Sequence, residues 1–334
     1  MKKQNVNSET ACVSLGGLGK GGGLKRVLKS SLKALGLYST ASAVNRWRNG
    51  IGPYAPAKIK VSQESVSQVA VMNQYKLLAA VAPDKLPQLL DTGFTVYSQF
   101  DEDGILLYIF SLIGFTNRKT VEICGGSGWE NNTANLIINH ACEGLLFDGD
   151  AANIAEARKF FTRCPATFTC PPICKQAWLT KDNINQLIEE EGFTGSIDLL
   201  SLDVDGNDYY FWDAISVIQP RVFICEVHNV IPDDRSITIP YQEDFFYRSG
   251  KQHIEFRSAS PLAMIRLSKR KGYRLIGAHK YGFNLIFMRN DVGTEYFPEV
   301  PLSSIMDNPY TIMRKQTAWE AVKDASWVEV EQEN

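Results

Sequence analysis

The chain lacks any hydrophobic run long enough to cross a membrane, since no apolar stretch reaches the roughly 18 residues that a spanning helix needs. It shows no cleavable signal sequence and holds only four histidines. Its seven cysteines are an odd number without a C-x-x-C pair, and the cluster of Cys164, Cys170 and Cys174 has no histidine nearby. These absences disfavour a zinc site and favour free thiols in a reducing, cytoplasmic environment.

The net charge of −2 hides a strong asymmetry along the chain. Residues 1–60, the basic arm, hold eleven lysines and arginines and one acidic residue, so the arm carries +10 and the rest of the chain −12. Within the arm, residues 24–37 have the apolar spacing of an amphipathic helix with a basic opposite face. Such a helix suits an anionic membrane surface, a protein partner or the chain's own acidic body, and these three possibilities stay open. We expect no nucleic-acid partner, and the sequence does not indicate the oligomeric state.

A glycine-rich turn follows a short apolar strand at residues 120–124. Gly125, Gly126 and Gly128 let the backbone bend sharply and approach a ligand without a Cβ in the way. The pattern is not a complete G-x-G-x-x-G, because Asn131 stands where the third glycine would be. Dinucleotide enzymes use that glycine to bring helix and strand together over a pyrophosphate. The turn therefore disfavours an NAD-dependent oxidoreductase and predicts a smaller ligand.

The next apolar strand, at residues 144–147, ends in Asp148, twenty residues after Gly128. This spacing suits one strand–helix–strand step of a parallel sheet. A carboxylate at the end of this strand is placed to accept hydrogen bonds from ribose hydroxyls. The glycine turn and Asp148 together predict a pocket for an adenosine-containing cofactor at the carboxyl edge of the sheet.

Two further strands, predicted at residues 198–206 and 221–229, end in acidic or imidazole side chains. These side chains are Asp203, Asp205, Glu226 and His228. Their place beside a cofactor crevice indicates a reaction centre. The three carboxylates are ligands that suit Mg²⁺, which would lower the pKa of a bound hydroxyl group. Alternatively, His228 acts as a general base without a metal, and both options stay open.

Near the C-terminus, residues 273–278 and 283–289 are two strand-like runs joined by a short turn. An antiparallel hairpin added to an otherwise parallel sheet is the arrangement of S-adenosylmethionine-dependent methyltransferases. This hairpin completes the predicted sheet.

Several motifs in one order resemble the FkbM-like branch of these methyltransferases. They are YSQFDEDGIL at residues 97–106, VEICGGSGWENNTANL at 121–136, LLFDGD at 145–150, DLLSLDVDGNDYYFW at 198–212 and the strand ending in EVHN. The resemblance covers roughly residues 95–290. It implies an α/β, Rossmann-like class I methyltransferase fold with a mostly parallel seven-stranded sheet. It also implies S-adenosylmethionine as the cofactor and O-methylation of a sugar, polysaccharide or related natural product.

Two positions depart from the family pattern. In FDED at residues 100–103, relatives tend to have a glycine before Glu-Asp. Cys124 lies at a place that is more often glycine or another small residue, and we expect this cysteine, like Cys225, to be buried in its strand. Neither departure removes the predicted pocket.

The residues predicted to hold the cofactor are Gln99, Asp103, Glu122, Gly125, Gly126, Gly128, Asn132, Asp148 and Asp182. Glu122 is expected to accept a hydrogen bond from the cofactor's amino group, and Asp148 from its ribose hydroxyls. Asp182 follows the third strand and suits either the adenine edge or the N-cap of a helix. The resemblance implies that the segment with Gln99 and Asp103 closes over the cofactor; otherwise its acids simply favour the helix dipole.

The length of 334 residues allows about two domains and a core that is stable without crosslinks. We predict the basic arm at 1–60, a helical segment covering the sheet at 61–95, the methyltransferase domain at 96–292 and a C-terminal tail at 293–334. The tail is expected to hold a helix around residues 317–325. The long irregular stretch at residues 231–260, rich in aromatic side chains, predicts a lid that faces the substrate.

Two other classes of function stay as alternatives. Asp203 and Asp205 form a D-x-D sequence, which nucleotide-sugar glycosyltransferases use to hold Mn²⁺ and a diphosphate. Such enzymes need neither the glycine turn nor Asp148. The second alternative is a methyltransferase-like domain that serves as a non-catalytic binding module, although acids at the strand ends favour an enzyme.

Overall fold

A computed structural model describes residues 63–246 and 252–331 of the chain. The basic arm, with its predicted helix at 24–37, lies outside the described residues, as does Tyr247 in the predicted lid. The proposed division of the chain into four segments therefore stays a prediction.

The described residues form nine α-helices and nine strands. The helices are α1 (Gln63–Val81), α2 (Glu102–Ile113), α3 (Ala134–His140), α4 (Ala151–Arg163), α5 (Ile184–Glu190), α6 (Asp208–Ala214), α7 (Pro261–Arg270), α8 (Ser303–Met306) and α9 (Pro309–Ala318). The strands are β1 (Lys119–Ile123), β2 (Glu143–Asp148), β3 (Ile173–Gln176), β4 (Gly195–Leu202), β5 (Ile218–Glu226), β6 (Ile237–Thr238), β7 (Tyr273–Ala278), β8 (Asn284–Arg289) and β9 (Val328–Glu329). Short 3₁₀ turns lie at Pro83–Lys85, Leu89–Thr92 and Trp319–Ala321.

Seven strands form one sheet in the order β3-β2-β1-β4-β5-β8-β7. Neighbouring strands from β3 to β5 are parallel, and β8 runs antiparallel to both β5 and β7. This confirms the predicted Rossmann-like class I methyltransferase fold, with its mostly parallel sheet and C-terminal antiparallel hairpin. Because β1, β2, β4 and β5 are parallel, the turns that follow them meet at one edge of the sheet, the carboxyl edge.

The central strands β1, β4 and β5 are buried along most of their length because helices cover both faces of the sheet. On one face, Leu200 and Phe223 pack with residues of α5, α6 and α7. On the other face, Leu199 and Val222 pack with residues of α2, α3 and α4. The ring of Trp212 in α6 stacks on Phe223 with centroids 4.0 Å apart. Burial on both sides explains why alternation of apolar and polar residues is absent from these strands.

The strands β4 and β5 end earlier than the sequence predicts, at Leu202 and Glu226 instead of residues 206 and 229. Asp208 at the start of α6 accepts hydrogen bonds from the backbone N–H groups of Val204 (2.8 Å) and Gly206 (2.9 Å). These bonds fold residues 203–207 into a turn. Asp203 and Asp205 therefore lie on a loop beyond the strand.

A buried ion pair fixes the opposite, amino edge of the sheet. Asp198 in β4 accepts a hydrogen bond from Nη1 of Arg221 in β5 at 2.8 Å, and both side chains are buried. Asp198 also accepts from the backbone N–H groups of Thr116 (3.0 Å) and Arg118 (2.7 Å) before β1. Burial alone would raise the pKa of Asp198, but these partners outweigh it and hold the pKa below its usual value. One carboxylate thus joins three neighbouring segments of the core.

The tail does not hold its helix where the sequence predicts it. Helix α9 begins at Pro309, and beyond Ala318 only the 3₁₀ turn at Trp319–Ala321 continues. The helix begins at Pro309 because the side chain of Asn308 caps it, accepting the N–H of Thr311 at 3.0 Å. Proline also suits the first helical position. Further on, β9 pairs with β6, so the tail crosses the 231–260 stretch.

No helix among residues 63–246 and 252–331 is both long and apolar enough to cross a membrane.

Candidate active site

The glycine turn is tied to the end of β2 by backbone and side-chain hydrogen bonds. The N–H of Gly125 donates to the carbonyl of Phe147 at 2.9 Å, and the N–H of Gly126 donates to Oδ2 of Asp148 at 3.0 Å. The N–H of Gly128 closes the turn on the Gly125 carbonyl at 3.1 Å. The turn and Asp148 therefore form one structural unit at the carboxyl edge, as the sequence predicts.

The glycines of this turn have different structural roles. A Cβ on Gly126, whose φ is +54°, would meet no atom within 4 Å, so the backbone here borders open space. A Cβ on Gly128 would lie 2.8 Å from the ring of Phe161 and 3.0 Å from Cβ of Ala157. Gly128 therefore allows α4 to pack closely, whereas Gly126 leaves room for a ligand.

Cys124 at the start of the turn is exposed, which corrects the expectation that it is buried. Its φ of +67° lies in the left-handed region that favours glycine. This backbone conformation explains why a small residue suits the position and why the strand ends one residue earlier, at Ile123. Cys225, by contrast, is buried as predicted.

Asn131 has a definite role in the place of the third glycine. Its Oδ1 accepts the backbone N–H groups of Thr133 (3.2 Å) and Ala134 (2.8 Å) at the start of α3. Its Nδ2 donates to the carbonyl of Gly125 at 3.3 Å. The side chain therefore links the glycine turn to the first residues of α3.

Asp148 is 7% exposed and already holds three hydrogen bonds. Its Oδ1 accepts from the N–H of Asp150 at 2.8 Å and from Nδ2 of Asn153 at 3.2 Å. Its Oδ2 accepts only the N–H of Gly126 among the described residues, which leaves one lone pair for a further donor. Asp150 itself is the N-cap of α4, since its carboxylate accepts the N–H of Ala152 at 2.7 Å.

Glu122 and Asn132 meet at Ser201 beneath the glycine turn. Glu122 accepts the hydroxyl of Ser201 at 2.8 Å and the N–H of Thr133 at 2.9 Å, and Asn132 donates from Nδ2 to the same hydroxyl at 3.1 Å. Burial raises the pKa of Glu122 to about 7, although the hydrogen bonds from Ser201 and Thr133 work against it. Both carboxylate oxygens thus have protein partners that join β1, β4 and α3.

The segment before α2 is organised by Asp103. Its Oδ2 accepts the N–H groups of Val96 (2.7 Å), Tyr97 (2.5 Å) and Ser98 (2.8 Å), which folds the segment over the start of the helix. Its Oδ1 is buried without a hydrogen-bond partner in the described part of the chain. Burial raises the pKa of this carboxyl despite the three N–H donors. Gln99, in the same segment, is exposed.

Asp182 lies on an exposed turn before α5 and does not cap that helix. Asn183 occupies the N-cap position. The N–H of Thr180 donates to Oδ1 of Asn183 at 2.8 Å, and the N–H of Asn183 donates to Oγ1 of Thr180 at 3.2 Å. The N-cap alternative for Asp182 is therefore wrong, because the helix begins one residue later and Asn183 holds the N-cap position. Its contact with the adenine edge stays a prediction.

Trp178, which sequence reasoning missed, lies beside this corner of the site. A Cβ on Gly149 would lie 2.9 Å from the indole ring, so the ring covers the backbone directly after Asp148. The indole N–H donates to the carbonyl of Glu243 at 2.6 Å, and the side chain is 55% exposed. A tryptophan two residues beyond β3 was a visible signal, but only the fold shows that it reaches the end of β2.

Three acids form a cluster beyond β4 and β5. Asp203, Asp205 and Glu226 each offer a carboxylate oxygen within 4.8 Å of the others. Burial, followed by the charges of Asp205 and Asp208, raises the pKa of Asp203 to about 8. Burial and the charge of Asp203 raise the pKa of Glu226 well above its usual value. The three acids thus lie together at the carboxyl edge, and their catalytic and metal-binding roles stay predictions.

Arg257, which the sequence analysis did not single out, makes contact with this acid cluster. Its Nη1 forms an ion pair with Asp205, and its Nη2 lies 3.8 Å from Oε1 of Glu226. Oε2 of Glu226 is buried and has no hydrogen-bond partner among the described residues. Three carboxylates suit a hard divalent cation, yet the structure places a guanidinium group on two of them. The three carboxylates suit a positively charged partner, and the guanidinium group of Arg257 is such a partner.

His228 is buried, and its ring contacts Glu255. Its Nε2 donates to the backbone carbonyl of Glu255 at 2.8 Å and lies 3.5 Å from that residue's carboxylate. Burial, helped by the charge of Arg257, lowers the pKa of His228 to about 3, so the ring is neutral near pH 7. Arg314 of α9 holds Glu255 through two 2.8 Å contacts. The role of His228 as a general base stays a prediction.

The predicted lid crosses the carboxyl edge between the loops after β3 and β4. The hydroxyl of Tyr241 accepts the N–H of Lys181 at 3.2 Å, and Nδ2 of Asn207 donates to the carbonyl of Gln242 at 2.7 Å. A Cβ on Gly206 would lie 2.3 Å from the ring of Phe245, so this ring packs directly on the loop that carries the acids. The stretch therefore borders the candidate site, as a lid requires.

A cavity of about 540 Å³ lies elsewhere, between α1, α2 and α3. None of the predicted site residues lines it. Arg118 on its wall donates to the carbonyl of His140 at 2.5 Å, at the C-terminal end of α3. This arrangement satisfies a helix end and offsets its dipole.

No family model and no curated protein matches the chain. Solved structures that the chain matches include a glycopeptide N-methyltransferase in complex with S-adenosylhomocysteine, at 11% identity and a TM-score of 0.37, covering 64% of this chain and 95% of that chain. The O-methyltransferase from Bacillus cereus has 16% identity and a TM-score of 0.31, with 49% and 70% of the chains covered. Magnesium protoporphyrin IX methyltransferase from Synechocystis has 12% identity and a TM-score of 0.31, with 79% and 96% covered. The fold assignment rests on the strand order of the chain itself.

Proposed function

We propose that this chain is an S-adenosylmethionine-dependent methyltransferase of the FkbM-like type, which methylates a hydroxyl group of a sugar, polysaccharide or related natural product. One observation carries the proposal. The open turn at Gly126, the lone pair on Asp148 and the acid cluster all lie at the carboxyl edge of a sheet with methyltransferase strand order. Ligands of open α/β sheets bind at this edge.

The donor side of the site is built to bind a nucleoside. Asp148 accepts a ribose hydroxyl at Oδ2, where a lone pair is left beside the N–H of Gly126. The backbone at Gly126 leaves space for the amino-acid part of the donor. Asp103 offers its unpartnered Oδ1 to an amino group when the segment at 96–103 closes. S-adenosylmethionine, when bound, supplies a methyl group on a sulfonium, for which these residues provide position and exclusion of water.

On the acceptor side, a base must take the hydroxyl proton. Asp203 is the first candidate, because a pKa raised to about 8 makes its ionised form more basic than an ordinary carboxylate. The share of this ionised form increases as the pH rises through about 8. Asp205 and Glu226 lie beside Asp203. His228 is the second candidate for the base. Oε2 of Glu226, which has no hydrogen-bond partner among the described residues, suits a hydroxyl group of a glycan. Mg²⁺ at Asp203, Asp205 and Glu226 would require Arg257 to leave its place on two of these carboxylates.

Calorimetric titration with four ligands tests the proposed donor. S-adenosylmethionine and S-adenosylhomocysteine should bind saturably, with a Kd of about 10 μM or tighter, whereas NAD⁺ should not bind. A UDP-sugar with Mn²⁺ should not bind either. Binding of the UDP-sugar alone would support the glycosyltransferase reading, and binding of none of the four ligands would contradict the proposal.

Labelled methyl transfer then separates an enzyme from a binding module. With S-adenosylmethionine carrying a labelled methyl group, a panel of glycans and hydroxylated small molecules should include at least one acceptor. Donor binding with no label on any of these acceptors would support the non-catalytic module instead.

A further inference from the structure

Arg257 lies on a chain segment that comes from outside the parallel strands. The segment at 252–260 precedes α7, and it brings a guanidinium group to two acids that follow β4 and β5. The side chain of Arg257 is 21% exposed and that of Glu226 is 12% exposed. The contact is therefore partly shielded from solvent, where an arginine–carboxylate pair is stronger than at the surface.

The backbone on both sides of Arg257 is fixed. The next residue, Ser258, is buried with a φ of +54°, and its carbonyl accepts the N–H of Ile239 at 3.3 Å. The following residue, Ala259, forms an antiparallel bridge with Thr238. Two residues earlier, Glu255 is held by Arg314 of α9. Contacts with the tail and β6 therefore hold the segment that carries Arg257 next to the acid cluster.

Three carboxylates this close together repel one another unless one of them takes up a proton or a positive charge lies among them. The carboxylate oxygens of Asp203, Asp205 and Glu226 lie within 4.8 Å of one another, a spacing that also suits a divalent ion. Arg257 contacts two of the three acids. A metal ion at this cluster would have to share Asp205 and Glu226 with this guanidinium group.

We propose that Arg257 is the resident cation of this acid cluster. It takes the place that a divalent ion would take, holds Asp205 and Glu226 in position, and keeps the centre free of metal. The importance of Arg257 for catalysis rests on the proposed function, because the cluster is a reaction centre only if the chain is a methyltransferase. Arg257 is a positioning residue in this account, acting through the acids that it contacts.

Binding of Mn²⁺, followed by electron paramagnetic resonance of the free ion, tests this competition without any donor or acceptor. The wild-type chain should bind Mn²⁺ weakly at this site. Arg257→Met should raise the affinity by about tenfold or more, since it frees two of the three carboxylate ligands from the guanidinium group and removes a competing positive charge. Arg257→Lys should resemble the wild type, because the positive charge is kept. Asp203→Asn added to Arg257→Met should abolish the gain.

The matched control is Arg235→Met, which removes an arginine from an ion pair with Glu329 that is 2.8 Å long and far more exposed. It should leave Mn²⁺ binding unchanged. A folded Arg257→Met variant with wild-type Mn²⁺ affinity would overturn the proposal. If that variant does not fold, wild-type crystals soaked in Mn²⁺ decide instead. An anomalous peak at the three acids with Arg257 still in contact would overturn the proposal, and no peak there would support it.

This result is independent of the proposed function, since calorimetry with S-adenosylhomocysteine tests the donor pocket separately. Normal donor binding with no effect of Arg257 on Mn²⁺ would refute only the role of the arginine. A metal effect without donor binding would refute only the methyltransferase proposal.

Discussion

Replacing Asp198 with asparagine should lower the free energy of unfolding by about 3–5 kcal/mol, the largest loss of stability that we expect from a single substitution. The change leaves the guanidinium group of Arg221 buried without its counter-charge. It also weakens the acceptor that holds the N–H groups of Thr116 and Arg118, where the chain enters β1. Urea unfolding followed by circular dichroism measures the loss.

The control for this substitution is Glu299→Gln, which breaks the pair between Glu299 and Lys269 at 2.7 Å. Both of these side chains are about half exposed, at 46% and 54%. We therefore expect a change of about 0–1 kcal/mol, as for surface pairs in general. Equal losses from both substitutions would show that burial does not distinguish the two ion pairs and would contradict the role given to Asp198.

Replacing Asp148 with asparagine should weaken the binding of S-adenosylhomocysteine about 100-fold, which corresponds to the loss of a charged hydrogen bond and of the support of the glycine turn. The carboxylate accepts on both oxygens, from Gly126 at Oδ2 and from Asp150 and Asn153 at Oδ1. The NH₂ group of asparagine cannot accept a hydrogen bond. The variant must therefore lose either the hydrogen bond from the N–H of Gly126 or the one from the N–H of Asp150. Titration calorimetry of the two proteins measures the difference.

Asp150→Asn is the matched control, two residues away on the same loop. Asp150 caps α4 through its side chain, whereas its contact with Asp148 uses the backbone N–H. Asparagine is also a good N-cap, so stability should change little. Affinity for S-adenosylhomocysteine should stay within about threefold of wild type. A similar loss of affinity in both variants would mean that Asp148 has no special contact with the ligand.

The sheet and the convergence of acids were predictable because they depend on local patterns. Continuous apolar runs such as 222–225 indicate strands buried on both faces, and the carboxyl ends of parallel strands must meet. The hairpin at Tyr273–Ala278 and Asn284–Arg289 agrees with its prediction to within one residue. Asp203, Asp205 and Glu226 follow from the same rule.

The residues that escaped prediction act over long sequence distances or through backbone shape. Arg257 reaches Glu226 only because β6 and the tail fix its segment, which no local motif records. Trp178 covers Gly149 only once β3 lies beside β2. The exposure of Cys124 follows from a left-handed backbone conformation, although its neighbours in β1 are buried. Gly128 looked like part of a ligand loop, but its missing Cβ accommodates α4.

A crystal structure with bound S-adenosylhomocysteine tests the central claim most directly. The account predicts the ribose hydroxyls on the Asp148 carboxylate, the amino-acid part beside Gly126, and the sulfur atom facing Asp203. A ligand bound at another place on the chain, or a closed turn with side chains filling the space beside Gly126, would contradict it.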